Sequence, residues 1–403
     1  MRFIPTLAAL LVATNLANAQ SGAAAIDPAD WEAVTEAAEG QTVYWHAWGG
    51  STATNDFIAW IGDQAAEQGV TLEHVKLADT ADAVGAVLTE KQAGRDADGS
   101  VDLIWINGAN FAAMKEADLL FGPFAEQLPN WQYVDVEGKT VRTDFTVPTE
   151  GYESPWAMAQ LVMVHDSARV EEPPRTAEAL LDWAQANPGR FTYPQPPDFL
   201  GTTFLKQMLI ELAEDPAVLQ EPAGDNYEAV TEPLWAWLDT LTPLLWREGR
   251  AYPETGPRML HLINDGETDL SFSFSPGEAS TAIANFELPE SVRTYVLDGG
   301  TIGNASFVAI PYNSSAKAGA MVVADIILSP EAQLRAQMPD VLGYGTVLDM
   351  EKLPRADRAA FDALELGIAT LSPAELGQAL PEPHPTWATR IAADWVDRYG
   401  VAP

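Results

Sequence analysis

Thr42-Val43-Tyr44-Trp45-His46-Ala47-Trp48-Gly49-Gly50-Ser51-Thr52 decides how the rest of this chain is read. β-Branched and aromatic residues fill the first seven positions, which predicts a strand. Two glycines and two hydroxyl residues then make a turn, and Asn55 to Gln68 carries Phe57, Ile58, Ile61 and Ala65 at helical spacing. Working outward, Trp31–Ala38 reads as a short helix before this unit, and Gly69 stops the helix after it. Thr71–Leu77 alternates as a second strand, and Asp79 to Ala93 sets Val84, Val87 and Leu88 on one side of a helix. Val101 to Ile106 is a third strand, ending in Asn107-Gly108-Ala109-Asn110. Strands alternating with helices predict an α/β lobe built on a largely parallel sheet.

The pattern changes at Gly151-Tyr152-Glu153-Ser154-Pro155-Trp156, where a strand at Leu161–Val164 and a proline-rich turn at 171–175 follow. Thr176 is a good N-cap for a helix with Leu180, Leu181 and Trp183, which Asn187-Pro188-Gly189 ends. A short strand is expected at Arg190–Tyr193, a turn at 194–198, and a helix opening at Gly201-Thr202-Thr203 and running through Leu212. Asp269–Phe274 and Phe307–Pro311 read as strands, and Ser315–Leu328 as a helix. Ser329-Pro330 caps and starts the next one. No fixed-period repeat is evident.

Composition narrows the function. The chain has 403 residues and no cysteine, so its core must hold it together without disulfides, and that length suffices for two lobes. Arg2, an apolar run from Ile4 through Leu16 and Ala17-Asn18-Ala19 have the form of an export leader cleaved after Ala19. The run is too short for a stable bilayer anchor, so a released periplasmic protein without membrane insertion is expected. With 58 acidic and 22 basic residues the formal charge is −36, which opposes binding to nucleic acid and to anionic lipid. The excess serves solubility, or a field that concentrates cations.

Catalytic signatures are missing. The five histidines, at 46, 74, 165, 261 and 384, show no metal-binding pair, no Gly-x-Ser-x-Gly elbow occurs, and cysteine chemistry is impossible. Asp265, Glu267 and Asp269 are the nearest carboxylate group, a cheap coincidence in so acidic a chain. No catalytic residue, metal or cofactor is assigned. Ligands of open α/β sheets bind beyond the carboxyl ends of strands, at loops and helix N-termini. Three stretches have that form: Trp48–Thr52 with Gly50 and Ser51, Asn107–Asn110, and Asp198–Thr203 with Thr202. Of the aromatic residues, Trp45 and Trp105 lie inside strands and read as core, whereas Trp48, Trp156, Phe274 and Tyr344 sit at turns, where a ring can stack on a ligand.

The order of these parts resembles the two-lobed solute-binding proteins of bacterial ABC importers. The resemblance is carried by the exported start, Val43–Gly50, Pro155-Trp156-Ala157 followed by Leu161-Val162-Met163-Val164-His165-Asp166, Pro173-Pro174-Arg175-Thr176 with Leu180-Leu181, and Ala320–Leu328 followed by Ser329-Pro330-Glu331-Ala332-Gln333. It implies a type II-like periplasmic binding fold, α/β throughout, each lobe a mixed, mostly parallel sheet flanked by helices. Residues 26–156 with 305–342 would form the first lobe, and 157–304 with 343–403 the second. The ligand would lie between them, touching Trp48–Thr52, Asn107 and Asn110, Trp156 and Gln160, Asp198–Thr203, and Phe274 to Glu278. Within the family the chain is most similar to a group associated with thiamine. A thiamine-like cation would stack on Trp48 or Trp156 with Asp198, Glu153 or Glu278 balancing its charge, while an anion would use the N–H groups at Gly50–Thr52 and Thr202–Thr203. The implied partners are a small-molecule ligand and importer permease subunits, with the protein acting as a monomer. A carbohydrate-binding importer component and a secreted carbohydrate-active hydrolase are the alternatives.

Overall fold

A computed structural model describes residues 26–401. The expected leader at 1–19 lies outside the described residues. The opening unit forms as its sequence dictates: β1 (Thr42–Trp48) runs into a turn, and Ser51 caps the helix Thr52–Glu67 by accepting a hydrogen bond from the Thr54 N–H. That helix buries Phe57, Ile58, Ile61 and Ala65, the stripe read from its spacing. The remaining strands are β2 (Thr71–Leu77), β3 (Leu103–Ile106), β4 (Glu153–Gln160), β5 (Val162–Asp166), β6 (Leu270–Ser273), β7 (Val292–Tyr295) and β8 (Gly303–Ala309). A two-residue hairpin, Thr143–Asp144 paired with Val147–Pro148, stands apart from both main sheets.

The first sheet has the order β2-β1-β3-β8-β4. β1 is parallel to β2 and β3, and β8 is antiparallel to both β3 and β4. The second sheet has the order β6-β5-β7, and β5 is antiparallel to each neighbour, where a mostly parallel sheet was expected. The reason lies in the crossing: β5 continues β4 from the first lobe through Leu161, so it enters the second sheet against the direction of strands that start within that lobe. β8 makes the return crossing, and the Leu161 N–H donates to the Ile302 carbonyl at 2.8 Å where the two pass. Met158 and Gly345 exchange backbone hydrogen bonds beside them.

Each sheet has its own core. Trp45, Trp156, Phe307, Met321 and Ile327 belong to the first, and Leu161, Phe204, Leu238, Trp387 and Trp395 to the second. Val164, Ile263, Val292 and Ala369 form a smaller cluster on the second sheet. Val347, Leu348, Leu353 and Phe361 pack in the first core. The core residues therefore do not divide at position 343, where the sequence reading returns the chain to the second lobe, because Asp135 N–H and Val347 carbonyl tie this segment back to the first. Two local expectations change. Arg190–Tyr193 is not a strand: its carbonyls at 190 and 191 accept from Asp269 and Trp246, but no ladder forms. The following helix begins at Phe199 rather than Gly201, because Asp198 caps it two residues earlier. Among the described residues no helix is long and apolar enough to cross a membrane.

Candidate functional site

The carboxyl ends of β1 and β3 deliver two of the expected loops. After β1, the Asn55 side-chain amide donates to the Gly49 carbonyl at 3.2 Å and pins the turn. A Cβ on Gly50 would lie 2.4 Å from the Trp48 ring, so glycine is required for the indole to fold back over the turn. Trp48 and Ser51 are half-buried, Gly50 and Thr52 exposed. After β3, Asn107 and Asn110 are half-buried around Gly108, which has a φ of 58° and precedes the helix Ala109–Glu116. The Gly108 N–H donates to Asp144 Oδ2 at 2.6 Å. A Cβ at Gly108 would stand 2.7 Å from the Phe145 ring, so the hairpin Thr143–Pro148 is laid directly on this loop.

Phe145 occupies the tip of that hairpin with a φ of 51°, a left-handed conformation that costs a bulky residue about 1 kcal/mol or more. Its ring reaches the second lobe and covers the Lys206 ammonium at 4.6 Å; the Phe199 ring lies 5.8 Å from the same nitrogen. Phe199, Thr203 and Lys206 are spaced to share one face of the helix Phe199–Leu212, which is therefore the face turned toward the first lobe. Lys206 is 2% exposed and pairs with Glu382 at 2.6 Å, and Glu382 also accepts from the Asn304 side-chain amide at 2.9 Å. Asn304 sits on β8, so the helix, the crossing strand and the C-terminal segment meet at one buried ion pair. Gly201 lets the helix approach its own preceding loop, since a Cβ there would be 2.1 Å from the Pro194 carbonyl oxygen.

Several carboxyl groups are buried at the junction or, like Glu153 at the far end of β4 from the crossing, inside the first lobe behind it. Asp144 and Glu153 are both fully buried. Burial pushes Asp144 up to about 8, against the pull of the Gly108 N–H, with Glu382 raising it further and Lys206 opposing. Burial also holds Glu153 well above the usual carboxylate range, with Asp144 adding to the rise and Lys115 opposing it. Asp144 Oδ1 and both Glu153 oxygens have no hydrogen-bond partner. Asp198 accepts from the Leu200 and Gly201 N–H groups at 2.8 and 3.1 Å; burial raises it, and Asp79 of the first lobe adds to the shift. Glu278 accepts from the Ser273 hydroxyl and is raised by burial.

The expected residues divide into groups. Asp198, Thr203 and Phe274 come to the junction, Phe274 packing edge-on against Phe199 at 5.3 Å. Thr202 is half-buried in the same first turn. Trp156 does not offer a free face: it is 1% exposed, enclosed by Trp105 at 4.7 Å, Tyr344 at 5.7 Å, Phe57 at 6.1 Å and Trp45 at 6.4 Å. Tyr344 is half-buried and its phenol is pushed up to about 12 by burial. Gln160 serves the crossing, its amide donating to Thr301 Oγ1 and the Leu376 carbonyl, both at 3.2 Å. Glu278 follows Gly277, which packs so closely on Gly343 that a Cβ would lie 2.3 Å from the Gly343 carbonyl oxygen. Asp144, Phe145, Lys206, Asn304 and Glu382 escaped the sequence reading. A two-residue hairpin and a lysine inside an apolar helix give no motif, and Glu382 is distant in sequence from everything it touches. Among the described residues no group of three or more potential ligands is arranged to hold a metal ion.

The chain is similar to known proteins in sequence and in fold. Protein YnjB of Escherichia coli (strain K12) is 46% identical over 374 residues, covering 92% of this chain and 94% of that protein. The periplasmic binding protein AfuA from Actinobacillus pleuropneumoniae, solved with fructose-6-phosphate, superposes with a TM-score of 0.63 at 13% identity, over 90% of this chain and 99% of that one. The spermidine/putrescine ABC transporter substrate-binding protein PotD from Streptococcus pneumoniae does so with a TM-score of 0.56 at 18% identity, over 89% and 98%. At those identities the two structures speak for the fold. Residues 60–354, a span that includes the second sheet, both crossing strands and every strand of the first sheet except β1, match the family described as bacterial extracellular solute-binding protein, and the chain belongs to that family.

Proposed function

We propose that this protein is the periplasmic solute-capturing component of an ABC importer, acting as a monomer, and that it holds a small organic cation between its lobes. One observation carries the choice of cation: the ammonium at the lobe junction, Lys206, is already paired with Glu382, while Asp144 Oδ1 and both Glu153 oxygens are buried without a partner. A buried carboxyl group without donors is costly to ionise and is relieved by a positive ligand that donates hydrogen bonds. Phe199 and Phe274 supply a ring face and edge at the junction, and Trp48 stands at the carboxyl end of β1, the end that also carries the loop after β3; such rings suit a cation carrying an aromatic ring, such as thiamine. The leader-like first nineteen residues support export. Contacts from Asp144 on one lobe and Thr203 on the other would favour the closed form, which is then offered to the permease.

The test is calorimetric titration of the mature protein, freed of any carried solute, with thiamine, spermidine and fructose 6-phosphate. Binding of a cation and indifference to the sugar phosphate is expected. The opposite preference would overturn the proposal in favour of a sugar-type solute. Mass spectrometry of what the native protein carries from the periplasm gives the same answer independently.

A further inference from the structure

We infer that the interlobe site takes its cation in exchange for a proton, with Asp144 and Glu153 as the carboxyl groups that release it. The inference rests on the organic-cation reading above and specifies how that site would work. Asp144, in the hairpin, gives one oxygen to the Gly108 N–H at 2.6 Å and leaves the other without a donor. Glu153, at the start of β4, has a donor at neither oxygen. Both are 0% exposed, and the Asp144 charge opposes ionisation of Glu153. Two buried carboxyl groups so placed cannot both ionise without a positive partner, so the empty site stores a proton.

A second set of atoms points the same way. Thr203 Oγ1 and Asn304 Oδ1 are buried and unpartnered as well. Thr203 stands one turn before Lys206 on the helix face that meets Phe145, and Asn304 is bound through its amide to Glu382. Once the carboxyl groups ionise, their oxygens and Asn304 Oδ1 only accept, which an N–H-bearing cation satisfies, while the Thr203 hydroxyl can serve a ligand of either sign.

The charged neighbours of the pair are few. Lys206 and Glu382 neutralise each other. Lys115, on the helix Ala109–Glu116, faces Glu153 but is drawn to Glu150 at 2.8 Å and donates to the Pro148 carbonyl. The exchange balances simply: a monocation enters, a carboxyl O–H bond breaks, the proton goes to solvent, and the net charge of the site is unchanged. Linkage then makes affinity rise about tenfold per pH unit for each proton released. That rise flattens above about pH 8, where Asp144 ionises without help.

The experiment uses the full mature chain. Thiamine, spermidine and choline are each titrated in two buffers of the same pH and different ionisation enthalpy, across the range from about pH 6 to 8. The expected result is binding of at least one of them with release of close to one proton near pH 6.5 and roughly tenfold tighter binding a pH unit higher. Asp144→Asn and Glu153→Gln, close in shape to the parent residues, should together abolish both the release and the pH slope. An infrared spectrum of the solute-free protein at neutral pH needs no ligand: a protonated-carboxyl C=O band should be present and should weaken in the double variant, the remainder belonging to other buried carboxyl groups such as Glu278. Cation binding with no proton released overturns the exchange and leaves the organic-cation reading standing. Failure of all three cations to bind, with or without binding of fructose 6-phosphate, overturns both, as absence of the infrared band overturns the exchange alone.

Discussion

Lys206→Met should be among the most damaging single substitutions in the second lobe, and the structure says by how much. Lys206 and Glu382 side chains are 2% and 1% exposed and their charged atoms are 2.6 Å apart. Methionine keeps most of the stem volume, so the loss is electrostatic: Glu382 keeps the Asn304 hydrogen bond at 2.9 Å but loses its counter-charge beside Asp144. Breaking a buried pair from one side costs about 3–5 kcal/mol, and the lost contacts with the Phe145 and Phe199 rings add about 1 kcal/mol. The double variant Lys206→Met/Glu382→Gln removes the orphaned charge and should recover about 2–4 kcal/mol of that loss. Denaturant unfolding at neutral pH, followed by tryptophan fluorescence, measures both, because Trp387 and Trp395 lie in this core. A loss under about 1 kcal/mol for the single variant, or a double variant no more stable than the single, would refute the reasoning that burial makes this pair indispensable from either side.

Phe145→Ala should shift the solute-free protein toward an open form by about 1–2 kcal/mol, roughly a tenfold change in the open population, since it removes the ring that bridges Gly108 and Lys206; unchanged small-angle scattering would count against it. Gly108→Ala places a methyl 2.7 Å from the Phe145 ring at a φ of 58° and should cost about 1–3 kcal/mol in thermal or denaturant unfolding, only the part due to the clash being restored when Phe145 is also alanine, because the backbone strain remains. Asp144→Asn should change the pH dependence of stability. Between about pH 4 and 8 the folded state holds a proton on Asp144 that the unfolded state has lost, so the parent loses about 1.4 kcal/mol per pH unit from this group as pH rises. The variant lacks that loss and should gain on the parent through the window, with no further gain above it; a constant difference between the two would show that Asp144 titrates normally.

The sequence exposes the parts of this protein that local rules build. β1, its glycine turn and the helix Thr52–Glu67 follow from propensity, capping and a single buried stripe, and the strand after the crossing follows from the apolar run at Leu161–Val164. It misjudges residues whose role depends on which element covers them. Trp156 sits at a turn-like Ser-Pro-Trp and reads as a stacking face, yet the helix Thr52–Glu67 and Tyr344 enclose it. The sense of the second sheet was equally hidden, because an isolated strand carries no mark of the direction of its neighbours.

What stayed invisible shares a physical character. Asp144 ends a paired strand of two residues and Phe145 begins the turn after it, a unit too short to show any alternation. Lys206 lies among Phe204, Leu205, Met208 and Leu209, where a lone charge looks like the exposed side of an amphipathic helix, although nearly every neighbour on that helix is buried. Its burial is possible only because Glu382, 176 positions away, meets it. A buried charge carries its cost in one segment and its compensation in another, so neither segment alone reveals it. The same reasoning singles out Asp144 and Glu153. Their neighbours leave the charge uncompensated, and in a protein built from two lobes with acceptors from both turned to the junction, the remaining partner is the solute.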